Sequence, residues 1–222
     1  MKLYKLTDEY GQTHGGCQWG EGIEHTASGE GPLCHSGWLH AYTHPLLAVF
    51  MNPIHANFER PRLWEADGDV GISDGNLKVG CTRLKTLREL PVPEVTREQR
   101  IRFAIACALQ VWDDATFRNW ALAWLDGSDR SDNAALAASE TARAKAAWAK
   151  AAKAAAWSAW SAWSAWVAEA AACAVNAVAE IAAKTGANIP FTAIAEWAVT
   201  DEPIQALEVT LGDTSDVATS RK

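Results

Sequence analysis

His14-x-x-Cys17 and the adjacent pair Cys34-His35 supply two imidazoles and two thiols, the donor types a tetrahedral zinc accepts. A structural zinc held by His14, Cys17, Cys34 and His35 is one reading. Loop histidines and buried thiols in a glycine-rich stretch is the plainer one. His40 and His44 are four apart, but Pro45 and the strand-like run before it do not suit a helical histidine pair, and HExxH is absent. No GxGxxG precedes a helix, and neither GxxxxGK[ST] nor GxSxG occurs. Gly15-Gly16 with Gly20 and Gly22 lacks the strand–loop–helix setting of a phosphate loop and reads as a wide hairpin loop. Asp67, Asp69 and Asp74 lie on turn-like residues, and Arg97, Arg100 and Arg102 open a helix without interleaved aromatics; both groups read as solvated charge.

The elements carrying these residues fall into two parts that meet near Pro91-Val-Pro93. All but three of the 15 glycines lie at or before Gly80, every histidine lies at or before His55, and no proline occurs from Glu94 to Ile189. The first part therefore reads as a turn-rich α+β module over residues 1–93. Leu3 to Leu6 and Gly37 to Tyr42 read as strands. Thr43 would cap a helix bearing Pro45 in its first turn and stopping before Pro53. Arg62 to Asp67 and Cys81 to Leu90 read as further strands, with Asp74-Gly75 as a turn.

The second part is helical. Thr96-Arg97-Glu98-Gln99 has the form of a capping box, and Ile101, Ile105, Ala108 and Trp112 fall on one face. Asp114 to Leu125 forms a second helix that Gly127 ends, so residues 94–130 read as a helical pair packing on the module. Residues 131–222 read as a long Ala/Trp-rich region, a short helix at Pro190 to Val199 and a polar tail. About half of Ala134 to Lys184 is alanine, and an unbroken helix of roughly 50 residues would be about 75 Å long. A hairpin is the alternative, since a break near Ser139 or Ala154 leaves little trace. The predicted fold class is thus α+β: a small N-terminal mixed sheet module followed by an all-α region with a long Ala/Trp-rich helix or helical hairpin.

Composition bounds the function. The chain has 222 residues, is 49% hydrophobic and carries a net charge of −7, so it can bury a core and lacks the cationic surplus of a general nucleic-acid binder. No run approaches about 18 apolar residues; Ala154 to Ala168 is broken by Ser158, Ser161 and Ser164, and no membrane partner is expected. Five scattered cysteines and the absence of a leader-like apolar run suggest reduced thiols in a cytoplasm.

Twelve tryptophans against five phenylalanines and three tyrosines is an unusual balance. Trp157, Trp160, Trp163 and Trp166 recur every third residue, so on a helix each indole is displaced by about 60° from the last and the four spiral across half the cylinder. Such rings need a cover. Burial within the chain, self-association and a host or viral partner protein are the three ways to supply it, with Trp148, Trp157, Trp160, Trp163 and Trp166 as the interaction residues.

The opening LYKLTDEYGQTHGGCQWGEG, the stretch GWLHAYTHPLLAVFMNPIHANF, the segments RLWEADGD and DGNLKVGCTRLKTLREL, the TREQRIRFAIACAL helix and the WLDGSDRS link resemble an uncharacterised family of phage and prophage proteins with an Ala/Trp-rich tail. That resemblance implies a viral origin and the host-cell cytoplasm, and it carries no activity. The leading expectation is a non-enzymatic phage accessory protein acting by protein binding or self-assembly. A more distant resemblance is to the ADP-ribosyltransferase scaffold. It implies Tyr4 and Lys5 on the first strand, His40 and Tyr42 on the second, Ala48 on the following helix, and Glu65 or Glu89 as the acid. The first strand lacks a His-Gly or Arg-Gly start, and the second lacks Ser-Thr-Ser or Tyr-Phe. An NAD-dependent enzyme on the N-terminal module, with His40, Tyr42, Glu65 and Glu89 as its site, is the alternative expectation. No motif demands a cofactor; zinc and NAD are the two left open.

Overall fold

A computed structural model describes residues 1–146, 150–163 and 166–207; Trp148 lies outside them, as do the side chains of residues 145, 146, 150, 152 and 163. The elements run β1 (Lys2–Thr7), β2 (Gln12–Thr13), β3 (Cys17–Gln18), β4 (Glu24–Thr26), β5 (Leu39–Ala41), α1 (Pro45–His55), β6 (Arg62–Ser73), β7 (Val79–Leu90), α2 (Arg97–Leu109), α3 (Ala115–Asp126), α4 (Asp132–Ala146), α5 (Lys150–Trp163), α6 (Val167–Thr185) and α7 (Phe191–Ala198). The fold class is α+β, with about 48% helix and 21% strand. Two compact units form, one from Met1–Val95 with Ala182–Thr192 and one from Thr96–Ile181 with Ala193–Lys222. The sequence suggests three segments instead. In the structure the helices after Thr96 pack in the same unit as the Ala/Trp helices, and residues 182–192 group with the sheet. No helix among the described residues is long and apolar enough to cross a membrane.

In the first unit, β6 and β7 form a long antiparallel hairpin, β1 adds to β6, and β4 and β5 add to successive stretches of β7. Irregularities at Glu65/Ala66, Asp69/Val70 and Val70/Ile72 interrupt the hairpin register, the kind of bulge that increases strand curvature. Tyr4 and Tyr42 then exchange main-chain hydrogen bonds, each 2.9 Å, so the ladder β1-β6-β7-β5 returns on itself. Leu3, Trp19, Ala41, Ala66, Val79, Cys81 and Leu84 fill one core cluster. Gly37 is required by close approach: a Cβ there would lie 2.1 Å from the carbonyl oxygen of Glu30.

Two details of α1 differ from the local expectation. His44, not Thr43, occupies the N-cap position, and Pro45 follows it. The helix also continues through Pro53 to His55. A proline so near a C-terminus removes one ladder bond at most, and the Asn52 side chain brackets the helix exit, donating to Phe58 O (2.9 Å) and accepting from Phe58 N (3.1 Å).

In the second unit, Thr96 and Gln99 close the capping box, Asp114 caps α3, and Gly127 ends α3 at φ 83°. The Ala/Trp segment is not one rod. α4 and α5 pack against each other, with Ala135, Ala138 and Ala142 facing inward from one and Ala154, Ala155 and Ala159 from the other, and Ser139 Oγ donates to Ala156 O (3.1 Å). Within the described part of the Ser-Ala-Trp repeat the small residues Ser158, Ala159 and Ser161 are buried. Ser158 and Ser161 are fully buried and donate back to the Ala155 and Ser158 carbonyls, whereas Trp157 and Trp160 are only half-buried. Arg102 of α2 stacks 4.1 Å over Trp197 and donates to Glu202 O (2.7 Å), tying the end of α7 to α2.

Candidate functional site

The first unit holds a cleft of about 690 Å³ built by β1, the β2–β3 loop, the segment from Cys34 to Tyr42, the end of α1 and the residue before β7. Among the described residues, Lys5 and Lys78 are the only formally charged side chains on its wall, and no carboxylate lines it. His14, Cys17, Cys34, His35, His40, Tyr42 and His55 also line it.

Lys5 lies mid-strand on β1, opposite Trp64, and is 8% exposed. Its ammonium donates to His40 O (2.7 Å) and sits 4.9 Å over the Trp19 ring. Burial lowers its pKa to about 8, with Cys17 and Cys81 pulling the other way. Trp19 is itself held firmly: its indole N–H donates to Thr13 Oγ1 (2.9 Å), and His25 meets its ring edgewise at 4.6 Å. Burial also pushes the Cys81 thiol up to about 11, so it stays protonated at neutral pH.

His40 Nε2 contacts the Leu33 carbonyl, an acceptor, so the neutral ring carries its proton on Nε2. Burial lowers the pKa of His40, the Leu33 hydrogen bond opposes this, and the charges of Lys5 and Lys78 lower it further. The imidazole thus feels both amines. Lys78, 5% exposed, donates to Cys34 Sγ (3.3 Å), and its main-chain N–H donates to Asp74 Oδ1 (2.6 Å). Burial raises Asp74 to about 6 despite the hydrogen bond and charge of Lys78. Burial likewise pushes the Tyr42 phenol upward, so it remains protonated, and its hydroxyl shares a hydrogen bond with His55 Nδ1 (2.8 Å).

No family model, curated protein or solved structure matches the chain.

The cleft brings His40 and Tyr42 together, as it does His14, Cys17, Cys34 and His35. Those four do not converge: among the described residues no three or more His, Cys, Asp or Glu side chains are placed to hold a metal. The residues present therefore do not fit a zinc centre in this geometry. Glu65 and Glu89 are absent from the cleft wall. Arg88 (2.8 Å) and Lys2 (3.4 Å) engage Glu65, and Arg62 grips Glu89 through two bonds of 2.8 and 2.6 Å. Hydrogen bonds from these arginines keep both carboxyls below their usual range. Sequence reasoning missed Lys78 and His55 and placed Lys5 only by resemblance. A lysine between Tyr4 and Leu6 on a short strand carries no periodic sign of burial.

A second cleft, of about 360 Å³, lies in the helical unit between Ser139, Arg143, Lys153, Ala156, Trp157 and Trp160. The Trp157 and Trp160 rings meet edgewise at 5.0 Å, and Trp166 is 66% exposed. Trp148 and the Trp163 side chain lie outside the described residues.

Proposed function

We propose that the N-terminal unit is a binding module for a small anionic ligand taken up in the 690 Å³ cleft. One observation carries this: Lys5 and Lys78, each more than nine-tenths buried, line a cleft with no carboxylate among its described wall residues; Asp74 lies near Lys78 off that wall, and Lys5 has no anionic partner among the described residues. A buried ammonium without a counter-charge is costly, and a ligand phosphate or carboxylate supplies that charge. The volume suits a ligand of metabolite or nucleotide size. NAD and ADP-ribose belong to this class. An ADP-ribosyl transfer step draws less support, because Glu65 and Glu89 are already charge-compensated and lie off the wall. Calorimetric titration with NAD, ADP-ribose and pyridoxine 5′-phosphate, with adenosine as the uncharged control, tests the reading. Binding of a phosphate-bearing compound but not adenosine, weakened about tenfold by Lys78→Met, is expected. Equal behaviour of charged and uncharged compounds would overturn it.

A second reading concerns the helical unit. The half-buried Trp157–Trp160 pair and the exposed Trp166 favour self-association through this face, the assembly role expected of a phage accessory protein in a host cytoplasm. Sedimentation of the wild type and Trp166→Ser decides it: a concentration-dependent mass that falls in the variant supports assembly, and a monomer at all concentrations removes it.

A further inference from the structure

We propose that Lys5 is a covalent ligand-binding residue, condensing through its amine with an aldehyde or ketone that also carries a carboxylate or phosphate. The inference rests on the anion-binding reading of the same cleft and names the ligand's second functional group.

Three features of the site point to it. Lys5 lines the cleft, yet the only acceptor of its Nζ among the described residues is the His40 carbonyl, and its only other partner there is the Trp19 ring. A dipole and a π-face hold an ammonium in place without the anion that would lock its proton on. The titratable groups around it are His40 from β5, Cys17 from β3 and Cys81 from β7, and none of them is a carboxylate. With its pKa near 8, Lys5 offers on the order of a hundredfold more free amine at neutral pH than a solvated lysine.

Lys78 completes the pairing. It lines the same cleft, bonds to Cys34 Sγ, and its charge, like that of Lys5, acts on the His40 imidazole. A ligand whose anion is met by Lys78 presents its carbonyl group within the same enclosure as Lys5. Exposed lysines such as Lys2 and Lys184 line neither cleft.

The step balances without an added reagent. The neutral amine adds to the carbonyl carbon, forming the C–N bond as the carbonyl oxygen takes up a proton. The resulting carbinolamine expels that oxygen as water while the nitrogen lone pair closes the C=N bond. Counted from the ammonium, two of its three hydrogens leave with the oxygen, and the product is a protonated imine plus one water.

Pyridoxal 5′-phosphate serves as an anionic aldehyde probe and pyridoxine 5′-phosphate as the matching alcohol. The full chain is incubated with the aldehyde, reduced with borohydride to fix any imine as a secondary amine, and the adduct is mapped by peptide mass spectrometry. Expected is modification of Lys5 about tenfold ahead of Lys2, Lys153 and Lys184, with a trapping rate that rises through a midpoint near pH 8. Lys5→Arg loses this adduct and Lys2→Arg retains it. Adducts on the exposed lysines with Lys5 unmodified, while the alcohol still binds by calorimetry, overturn the covalent role and leave the anion cleft standing. Absence of both the Lys5 adduct and alcohol binding overturns the two together.

Discussion

The Tyr42 hydroxyl lies 2.8 Å from His55 Nδ1, joining the end of β5 to the last turn of α1 with their rings stacked at 21°. The bond spans thirteen residues and forms one wall of the cleft. Tyr42→Phe keeps the ring and deletes the hydroxyl. Urea denaturation is expected to show a loss of about 1 kcal/mol, the ordinary worth of one such bond to a half-buried partner. An unchanged midpoint means the contact does not hold the helix end.

Lys5 makes stability depend on pH in an uncommon direction. Its folded-state pKa of about 8 lies below the ordinary value of 10.5, so between those limits the unfolded chain holds more protons than the folded one. Stability should therefore rise as pH increases from about 8 to about 10.5, and the penalty is in place below that window. Lys5→Met abolishes this rising limb. Parallel slopes for both proteins in thermal melts across the window contradict the buried-amine account.

Asp74 has the opposite linkage. Its carboxyl titrates near pH 6 in the fold and near 3.8 unfolded, so the folded state binds the extra proton and stability falls as pH climbs between these values. Asp74→Asn preserves an oxygen acceptor for the Lys78 N–H and carries no charge. The variant should gain stability relative to the wild type from about pH 4 to pH 6 and keep that gain above it. A difference that does not vary with pH removes Asp74 as the source.

The capping box of α2 offers a test confined to the helical unit. Thr96 Oγ1 accepts from Gln99 N (3.2 Å), and Gln99 Oε1 accepts from Thr96 N (2.8 Å). Thr96→Ala should cost about 1 kcal/mol, and Thr96→Asp should recover most of it. Equal stability of all three proteins would show that α2 is held by its packing alone.

These cases mark where sequence reading succeeds. The capping box, Gly127 and the Asp74-Gly75 turn are local signals, and each operates where the residues suggest. Pro53 misleads because the stop rule weighs the lost N–H and ignores the Asn52 bracket that holds Phe58. The Ser-Ala-Trp repeat draws attention to its largest residue, yet close packing of α4 and α5 selects its smallest ones. The cleft is the least legible part. It exists because the ladder closes between Tyr4 and Tyr42, residues 38 positions apart in the sequence, and no local pattern announces such a closure. His40 and Tyr42 share a neighbourhood for that reason, while Glu65 and Glu89 are claimed by cross-strand arginines.

The contact between Cys34 and Lys78 also gives the protein a native place for a probe. Cys34 is exposed at the cleft, whereas Cys81 and Cys107 are enclosed and burial holds both thiols protonated. A thiol-directed fluorophore at Cys34 would be anchored through a sulfur that lies 3.3 Å from the amine assigned to the ligand's anion, so its emission should respond to occupancy without an engineered cysteine.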